Sequence, residues 1–187
     1  MSTSTKSVHA LATAQTTLAT PLGWLLLART AQGLAGAWFE GQKDHPGTLS
    51  APPQSNDAVL MQAAAQLTEY FNGKRHTFDL PLDLHGTEFQ CNVWRALLKI
   101  DTGKTQSYGD IARAVNSPKG VRAVGAAVGK NPLSVIVPCH RVMGSDGSLT
   151  GYAGGLDRKR ALLKLEGIRL EEKLQAKLQA KLQKKLL

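Results

Sequence analysis

The spacing of apolar positions changes twice along this chain. Trp24 to Ala28 and Leu34 to Phe39 are apolar runs separated by Gln32-Gly33, which predicts a β-hairpin. From about Asp57 to Asn72 the period lengthens. Val59, Leu60, Ala63, Leu67, Tyr70 and Phe71 fall on one helical stripe, with Asn56 as the expected N-cap and Gly73 as the stop. Phe78, Leu80, Leu82 and Leu84 then alternate with polar residues or proline, predicting a further strand that Pro81 places at a sheet edge. Beyond residue 85 the pattern is helical. Thr87 and Gln90 fit a capping box ahead of Phe89, Val93, Trp94, Leu97 and Leu98. Ser107, with Asp110 three residues on, caps a helix leading into Ile111 to Val115. Asn116-Ser117 interrupts, Pro118 is expected in a first helical turn, and Val121 to Gly129 continues as a helix of small residues. Two short helices around a tight break predict a helix-turn-helix.

Length and composition divide the chain without changing this picture. At 187 residues and 42% hydrophobic, it can bury one good core or two small ones. The expected fold is α+β. A small N-terminal α/β domain with an antiparallel sheet spans 1–85, of which the Ser/Thr-rich 1–20 is a loose terminus and not a signal peptide. A mainly helical domain follows over 86–169. Residues 170–187 form a basic tail with leucines at 170, 174, 178, 182 and 186, a spacing of four that outruns the helical period and gives no long straight seam. Charge is unevenly placed within the total of +9. Residues 1–85 carry 5 Lys/Arg against 6 Asp/Glu, whereas 86–187 carry 18 against 8. A one-sided positive field suits a polyanion such as nucleic acid. No membrane span is expected, and the two cysteines, Cys91 and Cys139, are expected to stay reduced in the cytoplasm, with Cys91 serving as core packing. His45 and His76 stand alone, with no second ligand at metal spacing.

One stretch carries candidate chemistry. The apolar run Leu133 to Val137 ends at Pro138 and leaves the Cys139 thiol beside His140 and Arg141. A thiolate is the nucleophilic form, and nearby cations or a general base lower its pKa, an environment that His140 and Arg141 could supply. These residues read equally as a reactive cysteine or as an inert buried one.

Asn131-Pro132, Pro138-Cys139-His140-Arg141-Val142 and Gly151-Tyr152-Ala153-Gly154-Gly155-Leu156 together resemble the active-site signature of the O6-alkylguanine-DNA alkyltransferases. The likeness extends through Phe89-Gln90, Val93-Trp94, Ser107-Tyr108-Gly109, Arg122-Ala123-Val124-Gly125 and Leu165-Glu166-Gly167, and so covers roughly residues 20 to 169. The resemblance implies a ribonuclease H-like N-terminal domain and a winged-helix-like DNA-binding domain. It also implies direct-reversal repair, in which an alkyl group passes from O6-alkylguanine in DNA to Cys139, once per molecule and with no cofactor or metal.

The same resemblance assigns roles. Cys139 would be the nucleophile, His140 its base acting through a water, Glu166 the orienter of His140, Tyr108 a donor toward the guanine ring, and Asn131 a hinge between recognition helix and active-site turn. Tyr152, Ala153, Gly154, Lys159 and Val142 would line the base pocket. Ser107, Lys119, Arg122, Ala123, Gly125 and Ala126 would face the minor groove of duplex DNA, with Arg122 filling the space left by a flipped nucleotide. Ala153 stands where the family has serine, and Asp101-Thr102-Gly103 departs from the family's proline and aromatic residue. The implied partner is alkylated double-stranded DNA bound by a monomer, with nucleoid association in a bacterium. Two other classes fit parts of the pattern: a non-catalytic alkylated-base-binding protein that flags lesions, whose members lack the cysteine, and a cysteine hydrolase built on Cys139, His140 and Glu166.

Overall fold

The computed structural model describes residues 8–170 and residue 183. The predictions for the basic tail therefore lie almost wholly outside the described residues. Three antiparallel strands, β1 (Ala14–Thr20), β2 (Gly23–Arg29) and β3 (Leu34–Phe39), form a meander in the order β1-β2-β3, after a single helical turn α1 (Val8–Leu11). The predicted hairpin is β2–β3. The expectation of a loose terminus through residue 20 is corrected, because Ala14–Thr20 pairs along its whole length with β2. Its Thr-rich alternation left no apolar run to read, and only Ala14 in it is buried.

Helix α2 (Ala58–Phe71) packs on the sheet, burying Leu60, Ala63, Gln66, Leu67 and Tyr70. Its N-cap is Asp57 and not Asn56: the Asp57 carboxylate accepts from the amides of Val59 and Leu60. Gly73, at φ +70, closes the other end with paired bonds from Gly73 N to Tyr70 O and from Lys74 N to Glu69 O, a Schellman arrangement. No strand forms over Phe78–Leu84. The segment touches the sheet at one bridge, where Leu34 N donates to Pro81 O and Asp83 N donates to Leu34 O. Proline's missing amide limits pairing on this side, while the apolar residues still pack on the core.

The second half carries α3 (Glu88–Leu97), β4 (Gln106–Ser107), α4 (Tyr108–Ala114), α5 (Val121–Gly129), a 3-10 turn (Cys139–Arg141), β5 (Val142–Met143) and α6 (Leu156–Leu165), with β4 and β5 paired in parallel. Both expected capping boxes form, at Thr87 with Gln90 and at Ser107 with Asp110. Helix α4 stops because Asn116 takes φ +56, a conformation asparagine tolerates, while Ser117 N returns to Ala112 O. Pro118 lies in the turn and not in a helix, since α5 starts after the N-cap Gly120. The α4–α5 pair is the helix-turn-helix, and the Trp94 indole of α3 is hydrogen-bonded to Ala127 O of α5 at 2.8 Å.

A single apolar cluster joins the two halves, running from Leu25, Phe39, Leu67 and Tyr70 to Trp94, Val124, Val137, Cys139 and Leu162. The free edge of β3 is occupied twice: by Pro81–Asp83 at Leu34, and by residues 132–134 at Ala37, whose N donates to Pro132 O and whose O accepts from Ser134 N. Covering an edge removes a site of aberrant pairing. Here it also fixes the segment that leads into Cys139. No helix among the described residues is long and apolar enough to cross a membrane.

Candidate active site

The chain from α5 to Cys139 is held by one side chain. The Asn131 amide nitrogen donates to Val137 O at 2.8 Å and to Cys139 Sγ at 3.0 Å, and its oxygen accepts from Leu133 N at 3.0 Å. Inside this loop Val135 sits at φ +73, an outlier for a β-branched residue. The surroundings hold it there: Ser134 is bonded through its amide to Ala37 O and through its hydroxyl to Gln42 at 3.0 Å, and residues 131–140 are all buried. Cys139 itself is 4% exposed.

Burial pushes the Cys139 thiol above its ordinary pKa, opposed by the Asn131 amide, the Lys159 ammonium and the backbone N–H groups of Cys139 and His140. The resting group is therefore a thiol, with donors already placed around the position of a thiolate. Arg141 does not supply the cation, contrary to expectation. Its guanidinium is bound to Glu166, at 2.9 Å from Nε to Oε2 and 2.9 Å from Nη2 to Oε1, and also to Ile100 O and Thr102 Oγ1. The departure at Asp101-Thr102-Gly103 thus supplies a ligand to Arg141. Lys159 is the nearby positive charge; it is buried, donates to Val142 O at 2.5 Å and Thr150 O at 2.7 Å, and burial lowers its pKa to about 8.

His140 Nε2 lies 2.7 Å from Glu166 Oε1. Burial lowers the His140 pKa against the opposing pull of Glu166, so the ring is neutral, and a short contact to a carboxylate puts the proton on Nε2. Nδ1 then carries the lone pair; it is buried and has no hydrogen-bond partner among the described residues. This is the arrangement of a base held in one tautomer by its orienter. Burial alone would raise the Glu166 carboxyl, but hydrogen bonds from His140 and Arg141 and the charge of Arg141 bring it down to about 2.

Tyr70 of α2, read from sequence only as part of an apolar stripe, donates its hydroxyl to Glu166 Oε1 at 2.7 Å. A buried tyrosine must satisfy its hydroxyl, which is the one signal the sequence offered. Its partner stands 96 positions away, which no local pattern encodes.

The predicted pocket residues lie on the loop ahead of α6 and beside it. Tyr108 Oη reaches Thr150 O at 3.2 Å and Gly151 O at 3.4 Å, and burial raises its pKa. The Tyr152 hydroxyl is buried, its pKa raised by burial and by Cys139, so both tyrosines remain donors. Val142 and Gly154 are buried, and the Ala153 carbonyl accepts from Lys43 N at 2.9 Å. The predicted DNA-facing residues gather elsewhere, on the outer side of the helix-turn-helix. Arg122, Ala123, Ala126 and Lys119 are exposed, and Ser107 is committed to capping α4. Gly125 is half-buried, and a Cβ there would meet the Tyr108 ring at 3.9 Å. The first group thus lies around the buried Cys139 and most of the second on the exposed side of α5, with Asn131 following the end of α5. Among the described residues, no three His, Cys, Asp or Glu side chains gather as a metal site would require.

Comparison with known proteins gives consistent matches. Residues 14–84 match the family described as 6-O-methylguanine DNA methyltransferase, ribonuclease-like domain, and residues 88–168 match 6-O-methylguanine DNA methyltransferase, DNA binding domain. A methylated-DNA–protein-cysteine methyltransferase of Mycobacterium tuberculosis is 46% identical over 153 residues, covering 82% of this chain and 92% of that protein. One from Methanosarcina acetivorans is 47% identical over 150 residues, covering 79% and 94%. The crystal structure of Mycobacterium tuberculosis OGT in complex with DNA is similar with a TM-score of 0.75 at 45% identity, covering 82% of this chain and 92% of that one.

Proposed function

The chain belongs to the 6-O-methylguanine DNA methyltransferase family, and we propose that it repairs O6-alkylguanine in duplex DNA by taking the alkyl group onto Cys139. The observation that carries this reading is a buried thiol that meets the Asn131 amide donor and the charge of the Lys159 ammonium, next in the chain to an imidazole held in a single tautomer. A bound base would exclude water from this site, where such groups act more strongly than in solvent.

The steps follow from those groups. The Cys139 proton passes through a water to His140 Nδ1, whose lone pair is free because Nε2–H is held by Glu166. The thiolate, stabilised by Asn131 and Lys159, attacks the alkyl carbon in line with the C–O6 bond. The S–C bond forms as the C–O6 bond breaks, and the electron pair goes to the guanine ring. Tyr108 gives a proton to that ring and is reprotonated through solvent by the proton His140 took, so the proton lost by the thiol ends on the guanine. No hydrolysable bond results, so each molecule acts once.

For this to happen the base must leave the stack. The small, exposed face of α5 suits close approach to a minor groove, and Arg122 is the long side chain able to fill the gap. We assign the protein as a monomer on DNA.

Cys139→Ser tests the assignment. The hydroxyl fits the same space but is a far weaker nucleophile, so transfer should vanish while affinity for alkylated duplex stays within several-fold. Methyl transfer at near wild-type rate would remove Cys139 as acceptor.

A further inference from the structure

We propose that Arg158 is a positioning residue that seats the pocket loop on the N-terminal sheet and thereby sets how large an alkyl group the pocket accepts; this rests on the repair reading above. Four carbonyls of the loop are held from two sides. Thr150 O and Gly151 O accept from Lys159 Nζ and Tyr108 Oη, groups of the catalytic domain. Ala153 O accepts from Lys43 N, and Gly154 O accepts from Arg158 Nη1 at 3.1 Å. The same guanidinium donates through Nε to Leu22 O at 2.9 Å and through Nη2 to Glu40 O at 3.2 Å, and lies 4.7 Å from the centroid of the Phe39 ring.

Arg158 therefore ties three places together: the β1–β2 turn, the end of β3 and the pocket loop. Its polar partners are neutral carbonyls in different directions, a task for the rigid five-donor fork that a lysine cannot replace. Tyr152, a pocket wall, lies between the two held ends of the loop. With the sheet end released, that wall can yield to a bulky substituent, while a methyl group loses the close positioning that a fixed wall gives it.

Arg158→Met keeps an apolar stem over Phe39 and removes every donor; Arg158→Lys keeps the charge and loses the fork. Single-turnover rates are measured for each on identical duplexes carrying O6-methylguanine or O6-benzylguanine. The benzyl-to-methyl rate ratio should rise about tenfold in Arg158→Met, mainly through a slower methyl reaction, with a smaller rise in Arg158→Lys. A ratio within about twofold of wild type in both variants, including equal slowing on both substrates, overturns the proposal. If Arg158→Met lacks the wild-type circular dichroism, Arg158→Lys decides by the same ratio. A wild-type protein that moves no alkyl group to Cys139 would defeat the repair reading itself.

Discussion

The Asn131 side-chain nitrogen stands 3.0 Å from Cys139 Sγ while its oxygen holds the amide of Leu133. One residue thus both closes the loop and points a donor at the nucleophile. In Asn131→Asp the shape is kept, but a carboxylate oxygen replaces the donor. A like charge this close raises an acid's pKa by about 1–3 units, so transfer near neutral pH should slow by about 10- to 1000-fold and its pH profile should move to higher pH. Rates on O6-benzylguanine measured across pH check this; an unmoved profile would mean that Asn131 acts only on the loop.

Tyr70 links α2 to the base–orienter pair. Tyr70→Phe removes one of the donors on a buried carboxylate, and a hydrogen bond to a charged group contributes about 1.5–3 kcal/mol. Urea midpoints should fall by a corresponding amount. Transfer should slow only modestly, because His140 and Arg141 still hold Glu166. An unchanged midpoint would show that this contact contributes nothing to the fold.

The sequence made some of this legible and hid the rest for physical reasons. The capping boxes at Thr87 and Ser107, the β2–β3 hairpin and the α2 stripe were readable because each is a local pattern. The Pro-Cys-His-Arg and Leu-Glu-Gly motifs suggested Cys139, His140 and Glu166 through resemblance, and the structure pairs His140 with Glu166 directly after the buried Cys139. Contacts of long sequence separation were not readable. Tyr70 to Glu166, Ala37 to the 132–134 segment and Arg158 to Leu22 depend on how the halves pack, and no periodicity within either half encodes them. Arg141 shows the opposite error. Adjacency in sequence suggested a cation for the thiol, but the 3-10 turn sends its side chain to Glu166. Strand β1 was missed because a polar, Thr-rich edge strand carries little hydrophobic signal.

Two buried groups make the fold acid-sensitive in the same direction. Glu166 has its carboxyl depressed from 4.5 to about 2, so its contribution is complete above the unfolded value and is lost as pH falls from about 4.5 toward 2. His140 is held neutral with a lowered pKa, so the unfolded chain takes up its proton first and stability also falls as pH drops below 6.5. Denaturant midpoints measured between neutral pH and about pH 3 should decline in both ranges. In His140→Gln the decline just below pH 6.5 should be smaller, which separates the two groups.

Arg122 is exposed on α5, away from the buried thiol. Arg122→Ala should slow repair of O6-alkylguanine in duplex DNA much more than reaction with free O6-benzylguanine, since only the duplex requires a base to be extruded. Comparing the two rates in one variant removes any general loss of active protein. Equal losses on both substrates would assign Arg122 to folding or to the pocket.

The central claim is a single, irreversible alkyl transfer to Cys139, and intact-protein mass spectrometry with peptide mapping after incubation with excess O6-methylguanine duplex tests it most directly. An S-methyl thioether offers water no electrophilic carbonyl, and no described side chain around Cys139 can cleave it. The expected result is a mass increase of one methyl group per active molecule, located on the peptide containing Cys139, with repair stopping at that stoichiometry. Sustained turnover without added thiol, or a methyl group on any other residue, would contradict it.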